Sequence, residues 1–99
     1  MKFFFDTSVL VAAVSLQHVH HAPSLAAYVK ANKKNACCAA HTLAELYATL
    51  TRMPGRQRMA ADQALLILDE IRKRLTIIAL DEEDYCSAIA SAAADAIAE

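Results

Sequence analysis

Two acidic residues stand where a reaction could be carried out. Asp6 interrupts an apolar opening, F-F-F-D-T-S-V-L-V, and Glu45 lies in H-T-L-A-E-L-Y-A-T-L-T-R-M-P. A carboxylate set between apolar runs is expected to be buried, and costly unless it is paired, hydrogen-bonded or metal-bound. If folding brings the two together, unit charges about 4 Å apart repel by about 4 kcal/mol at an effective dielectric near 20. A hard divalent cation removes that penalty. Mg²⁺ or Mn²⁺ takes oxygen ligands, often one or two carboxylates plus waters. A plainer reading stands beside this one. Thr42 to Glu45 has the spacing of a capping box, and Asp6 could cap the helix that follows it.

The surrounding pattern supplies elements to position these residues. Phe3 to Phe5 is short and continuous, as a buried strand would be. Thr7 or Ser8 is expected to cap a short helix through Ser15. The stretch S-L-Q-H-V-H-H-A-P reads as a loop ending at Pro23. A helix is expected over Ser24 to Asn32 with Leu25, Tyr28 and Val29 on one face. Residues 36 to 40, A-C-C-A-A, suggest a second strand. After it Leu43, Leu46, Tyr47 and Leu50 recur at helical spacing, with Glu45, Thr49 and Arg52 opposite, and Pro54 and Gly55 stop that helix. Ala64, Ile67, Leu68, Ile71 and Leu75 mark the next helix, with Asp69–Lys73 and Glu70–Arg74 as i,i+4 pairs. T-I-I-A-L at 76 to 80 is a third strand, and Asp81 an N-cap for an alanine-rich helix. Strands alternating with helices argue for one α/β domain over residues 1–99 with a parallel sheet. At the carboxyl ends of such strands, where sites form, stand Asp6 and Glu45.

Composition excludes several classes. The only glycine is Gly55, so the multi-glycine phosphate loops of common nucleotide-binding folds are ruled out. Ten basic and eleven acidic residues leave a net charge of −1, so nucleic acid would have to be held by local clusters. Three clusters qualify: Lys30, Lys33 and Lys34; Arg52, Arg56 and Arg58; and Arg72, Lys73 and Arg74. The first and third close helical patterns, and read equally well as solvated helix ends that complement the dipole. The adjacent Cys37 and Cys38, with the distant Cys86, match neither a disulfide framework nor a zinc knuckle, and are expected to be small buried hydrophobes. His18, His20, His21 and His41 fit no helix-based metal site. No apolar run reaches the roughly 18 residues of a membrane span, and the start lacks a secretory pattern. A soluble, cytoplasmic protein is expected.

The blocks F-F-D-T-S-V-L-V and H-T-L-A-E-L-Y-A-T-L-T-R-M-P, in this order and some forty residues apart, resemble the PIN-domain nucleases. The nearest likeness is to the toxin half of VapBC-type toxin–antitoxin pairs. The likeness runs through essentially all 99 residues and corresponds to about the first three quarters of that domain. It implies a three-layer α/β/α fold with a parallel sheet, of which the first three strands are present, and metal-dependent cleavage of RNA. Asp6 and Glu45 would hold Mg²⁺ or Mn²⁺, with the hydroxyl of Thr7 or Ser8 nearby. The metal would lower the pKa of a bound water and stabilise charge on the phosphate. The RNA would be single-stranded or looped. Arg52, Arg56 and Arg58, clustered after the Glu45 helix, would meet its backbone. An antitoxin protein would be the inhibitor.

The chain also departs from that family. Two further acidic positions are expected after the third strand. Asp95 echoes one of them, but lies deep in a helical pattern and reads as a solvated residue. The metal site is therefore expected to be incomplete. The family's first strand is central, so without later strands Phe3 to Phe5 would be an open edge that invites pairing; a homodimer is expected. Two functions follow: an Mg²⁺/Mn²⁺-dependent endoribonuclease of toxin type, and a truncated, weakly active or inactive PIN domain serving as a binding or dimerisation module. A phosphate-transferring domain with Asp6 as nucleophile is weaker, because such hydrolases carry a second aspartate where Ser8 stands.

Overall fold

The computed structural model describes residues 3–79, 81–84, 86, 87 and 90. The chain alternates as β1 (Phe3–Phe4), α1 (Thr7–Val14), α2 (His21–Val29), β2 (Ala36–Ala39), α3 (Ala40–Arg52), a 3₁₀ turn (Gly55–Gln57), α4 (Ala61–Arg74) and β3 (Thr76–Ile78). The strands form one parallel sheet in the order β1-β2-β3, with helices flanking it. Phe3 pairs with Ala36 and Phe4 with Cys37 on one side, and Cys37, Cys38 and Ala39 pair with Thr76, Ile77 and Ile78 on the other. The α/β fold expected from the alternation is thus the fold observed.

β2 is the middle strand, and all four of its residues are buried. Parallel strands covered on both faces read as continuous apolar runs rather than alternating ones, which is why A-C-C-A has no polar member. Its small side chains let the flanking helices come close. One core cluster joins Phe5, Leu10, Ala36, Cys38, Leu46, Leu50, Ile71 and Leu75. The stripe on α3 is as expected, with Leu46 and Leu50 fully buried and Leu43 and Tyr47 at the margin. On α4, Ala64 and Ile71 are buried, as is Leu75 just past its end, and both anticipated ion pairs form: Lys73–Asp69 at 3.2 Å and Arg74–Glu70 at 3.1 Å.

β1 is an edge strand. Its neighbour is β2 alone among the described residues, and Phe3 and Phe4 are 51% and 56% exposed. Only Phe5, one residue past the strand, is buried as anticipated; its ring meets Tyr28 edge to face at 6.1 Å.

Several local expectations are corrected. α2 starts at His21 rather than Ser24. Pro23 falls in its first turn, where the missing N–H costs no hydrogen bond, while Ser24 N–H donates to His20 C=O at 3.1 Å. No residue of α2 is buried, and Leu25 and Val29 are exposed, so its apolar face packs chiefly through Tyr28. Ala40 opens α3 instead of closing β2. Cys37 and Cys38 are buried as expected, but Cys86 is exposed. Asp81 does cap: its carboxylate accepts from Asp84 N–H at 2.8 Å, and the Asp84 carboxylate accepts from Asp81 N–H at 3.2 Å, a reciprocal box. Leu80 and Asp95 lie outside the described residues. Among the described residues, no helix is long and apolar enough to cross a membrane.

Candidate metal centre and active site

α1 and α3 both leave the carboxyl edge of the sheet, α1 just after β1 and α3 directly after β2. This brings Asp6, Thr7, Ser8 and Glu45 into one neighbourhood. Asp6 is the N-cap of α1, in extended conformation, and its Oδ1 accepts from Val9 N–H at 2.9 Å. Ser8 Oγ donates to the same oxygen at 2.9 Å. The cap is therefore Asp6, not Thr7 or Ser8. A cap must keep its carbonyl in the first turn while its side chain folds back onto the second or third N–H, a geometry that Asp6 meets one residue earlier. Capping occupies only Oδ1; Oδ2 takes no hydrogen bond from the described residues.

Thr7 Oγ1 donates to Glu45 Oε1 at 3.3 Å across a sequence separation of 38 residues. That bond joins the neighbour of Asp6 to the second carboxylate. The capping-box reading of Glu45 does not survive. α3 begins at Ala40 with Ala39 as N-cap, and Thr42 is itself buried inside the first turn. Glu45 sits in the second turn, past the N–H groups that need a cap.

Neither carboxylate is buried. Asp6 is exposed, and the Glu45 side chain is 56% exposed. The anticipated burial cost at Asp6 is absent, because β1 is only two residues long and Asp6 sits past its end, at the open rim. Water screens these charges, so a cation is not required for the fold to tolerate them.

His41 has a role that the metal-site reading of the histidines does not anticipate. Its Nε2 lies 3.1 Å from Glu45 Oε1. The signal was available in the sequence, since residues four apart on a helix face each other. The other histidines are held by local bonds. His18 Nδ1 accepts from His20 N–H at 3.0 Å, and His21 Nδ1 is 2.9 Å from Ala12 C=O.

The three arginines are not brought to the carboxylates. Arg52 is on the exposed face of α3 with Glu45, but seven residues at about 1.5 Å rise place it roughly 10 Å further along the axis. Arg58 Nε donates to Met53 C=O at 3.1 Å, closing the end of α3. Arg56 lines a cleft of about 290 Å³ with Val14, Leu16, Gln17, Leu50 and Met53. That cleft lies where α1 and α3 end, away from Asp6 and Glu45.

The donor set suits a hard cation. Two carboxylates with adjacent hydroxyls resemble the sparse protein ligation of Mg²⁺, which keeps much of its water shell. Among the described residues, no group of three or more His, Cys, Asp or Glu could hold a metal, and the tie between the Asp6 turn and Glu45 is the Thr7 hydroxyl.

Comparison with known proteins gives one result. The family described as PIN domain matches residues 3–97. No curated protein and no solved structure shows a significant match to the chain. The match takes in both carboxylates and all three described strands, and the chain therefore belongs to the PIN-domain family, whose members are nucleases that typically use divalent metals.

Proposed function

We propose that the protein is a metal-dependent endoribonuclease, and that it serves as the toxin of a toxin–antitoxin pair of the VapC type. The observation that carries the nuclease reading is the bond from Thr7 to Glu45, which ties the Asp6 turn to the second carboxylate at the open rim of the sheet. An open rim suits a polymer that must approach from outside. The toxin assignment rests on the likeness of the D-T-S turn and the A-E-L-Y-A-T-L-T-R-M-P helix to such toxins.

In this reading Asp6 and Glu45 would hold Mg²⁺ or Mn²⁺. The bound cation would lower the pKa of a water and neutralise charge on the scissile phosphate. The chain's own residues do the positioning. Ser8 and the Val9 N–H fix the Asp6 carboxylate by holding Oδ1. Thr7 and His41 both meet Glu45 at Oε1 and orient that carboxylate. Arg52, Arg56 and Arg58 would meet RNA backbone that runs on along α3. Partners in this reading are RNA, an antitoxin protein and a second copy of the chain. The open β1 edge supports the last, and light scattering at high concentration would show it as a dimer.

The test is cleavage of single-stranded RNA with Mn²⁺, with and without EDTA. Cleavage that EDTA abolishes, and that Asp6→Asn loses while the circular dichroism spectrum is kept, supports the enzyme. Absence of Mn²⁺-dependent cleavage by the folded protein would leave the binding-module alternative.

A further inference from the structure

Two basic clusters that are distant in sequence meet at the amino edge of the sheet. The turn at residues 30–35 leads into β2, and the end of α4 leads into β3. They are stitched together: Arg74 Nη1 donates to Val29 C=O at 3.3 Å, and Thr76 Oγ1 donates to Lys33 C=O at 2.9 Å. Lys33, Lys73 and Arg74, with one carboxylate, Glu70, line a shallow concavity of about 330 Å³, and Lys30 and Lys34 are exposed on the same turn. Half of the ten cations of a chain with net charge −1 are gathered here.

Solvated helix ends account for part of this charge. Lys73 and Arg74 are each paired with a carboxylate one turn earlier. Lys30, Lys33 and Lys34 are not; no described carboxylate forms an ion pair with them. Their turn is also fixed. The Asn32 side chain accepts from Lys34 N–H at 2.8 Å and Asn35 N–H at 3.1 Å, while Asn35 Oδ1 accepts from Asn32 N–H at 2.8 Å. Uncompensated cations on a rigid turn concentrate positive potential. The patch lies across the sheet from Asp6 and Glu45, separated by at least the length of β2, about 13 Å for four residues at ~3.3 Å each.

We propose that this patch is a second RNA-contacting surface, which grips the phosphate backbone of the substrate away from the cleavage point. The proposal rests on the nuclease reading for its choice of polyanion, and it deepens that reading: the preferred substrate is an RNA long enough to reach both edges of the sheet. Such contacts position a substrate without reading its sequence.

The experiment measures binding in EDTA, where no metal-dependent cleavage occurs, by fluorescence anisotropy of a labelled long single-stranded RNA and of a labelled trinucleotide. The variant is Lys30→Gln/Lys33→Gln/Lys34→Gln, with the Lys→Arg triple as the charge-conserving control. Affinity of the Gln variant for the long RNA is expected to fall by about tenfold or more. Its slope of log K against log salt should shrink by about 2, from three contacts at ~0.7 each. The Arg variant should bind as wild type, and the trinucleotide should bind all three proteins alike. Unchanged affinity for the long RNA, or equal loss for both lengths, overturns the proposal. So does binding to phosphatidylserine vesicles that the Gln variant loses while RNA binding stays intact, since that assigns the patch to a membrane surface. Wild-type protein that binds no RNA overturns it too, whereas the Mn²⁺ cleavage assay reports separately on the nuclease reading.

Discussion

The two oxygens of Asp6 are used differently, one in the cap and one, in the proposed function, toward a cation. Oδ1 caps α1, and Oδ2 takes no hydrogen bond from the described residues. Asparagine caps about as well as aspartate, whereas alanine does not cap. Asp6→Asn should therefore leave stability within about 0.5 kcal/mol of wild type, while Asp6→Ala should cost about 1 kcal/mol. Both should lose metal-dependent cleavage by at least about a hundredfold, the worth of a few kcal/mol of lost charge stabilisation. Urea denaturation and RNA cleavage, run on the same three proteins, check the separation. Two enclosed ionisable groups, the buried Cys38 thiol and the hydroxyl of the half-buried Tyr28, set an alkaline limit. Enclosure in β2, with a smaller effect from Cys37, raises the Cys38 thiol from 9.0 to about 11. Burial of the Tyr28 ring, with the charge of Glu70 adding and that of Arg74 offsetting, raises its phenol from 10.0 to about 12. In both, the fold favours the neutral form, so the stabilisation is intact below the unfolded pKa and is lost as pH rises through the folded one. The urea midpoint should fall between about pH 9 and 12, with Cys38→Ala removing the lower part of the fall; a flat midpoint through pH 11 would contradict this. The chemistry-bearing residues were legible because Asp6 and Glu45 each follow a strand signal. Their exposure was not legible, since the apolar neighbours of Asp6 say nothing about how soon β1 ends.

α3 is the element that holds the site in place. Its buried stripe, Leu46 and Leu50, lies against the core, and its opposite face carries Glu45. Leu46 adjoins Glu45, so a cavity there should loosen the carboxylate as well as the fold. Leu46→Ala is expected to destabilise by about 2–5 kcal/mol, whereas Thr49→Ala on the exposed face should change stability by under about 0.5 kcal/mol. Thermal or urea unfolding of the two variants reads the difference. The helical periods of α3 and α4 gave correct elements, because each has a strong apolar stripe and clear end signals: Pro54, then Gly55 with φ of 60°, after α3, and the cations closing α4. α2 starts earlier than the loop signal at Pro23 implies, because a first-turn proline is as much at home in a helix as at the end of a loop. Its apolar residues also misled. Leu25 and Val29 have helical spacing but face outward, and periodicity shows that a helix has a face without showing what covers it.

At the scale of the whole molecule, polar side chains gather at two edges of the parallel sheet. The carboxyl edge gathers Asp6, Thr7, Glu45 and His41, and the amino edge gathers the lysines of the 30–35 turn with Lys73 and Arg74. Neither gathering is local in sequence. Strand alternation predicted the first, because sites in parallel sheets form at the carboxyl ends. The second depended on which helix ends abut, and that follows from packing rather than from any spacing. The central claim is that Asp6 and Glu45 grip one cation together. Titration of Mn²⁺ into wild type, Asp6→Asn, Glu45→Gln and the double variant, followed by the loss of the free-ion electron paramagnetic resonance signal, tests it most directly. The account predicts one Mn²⁺ per wild-type chain, a large loss of affinity in either single variant, and little further loss in the double. Mn²⁺ affinity unchanged in either single variant would contradict it.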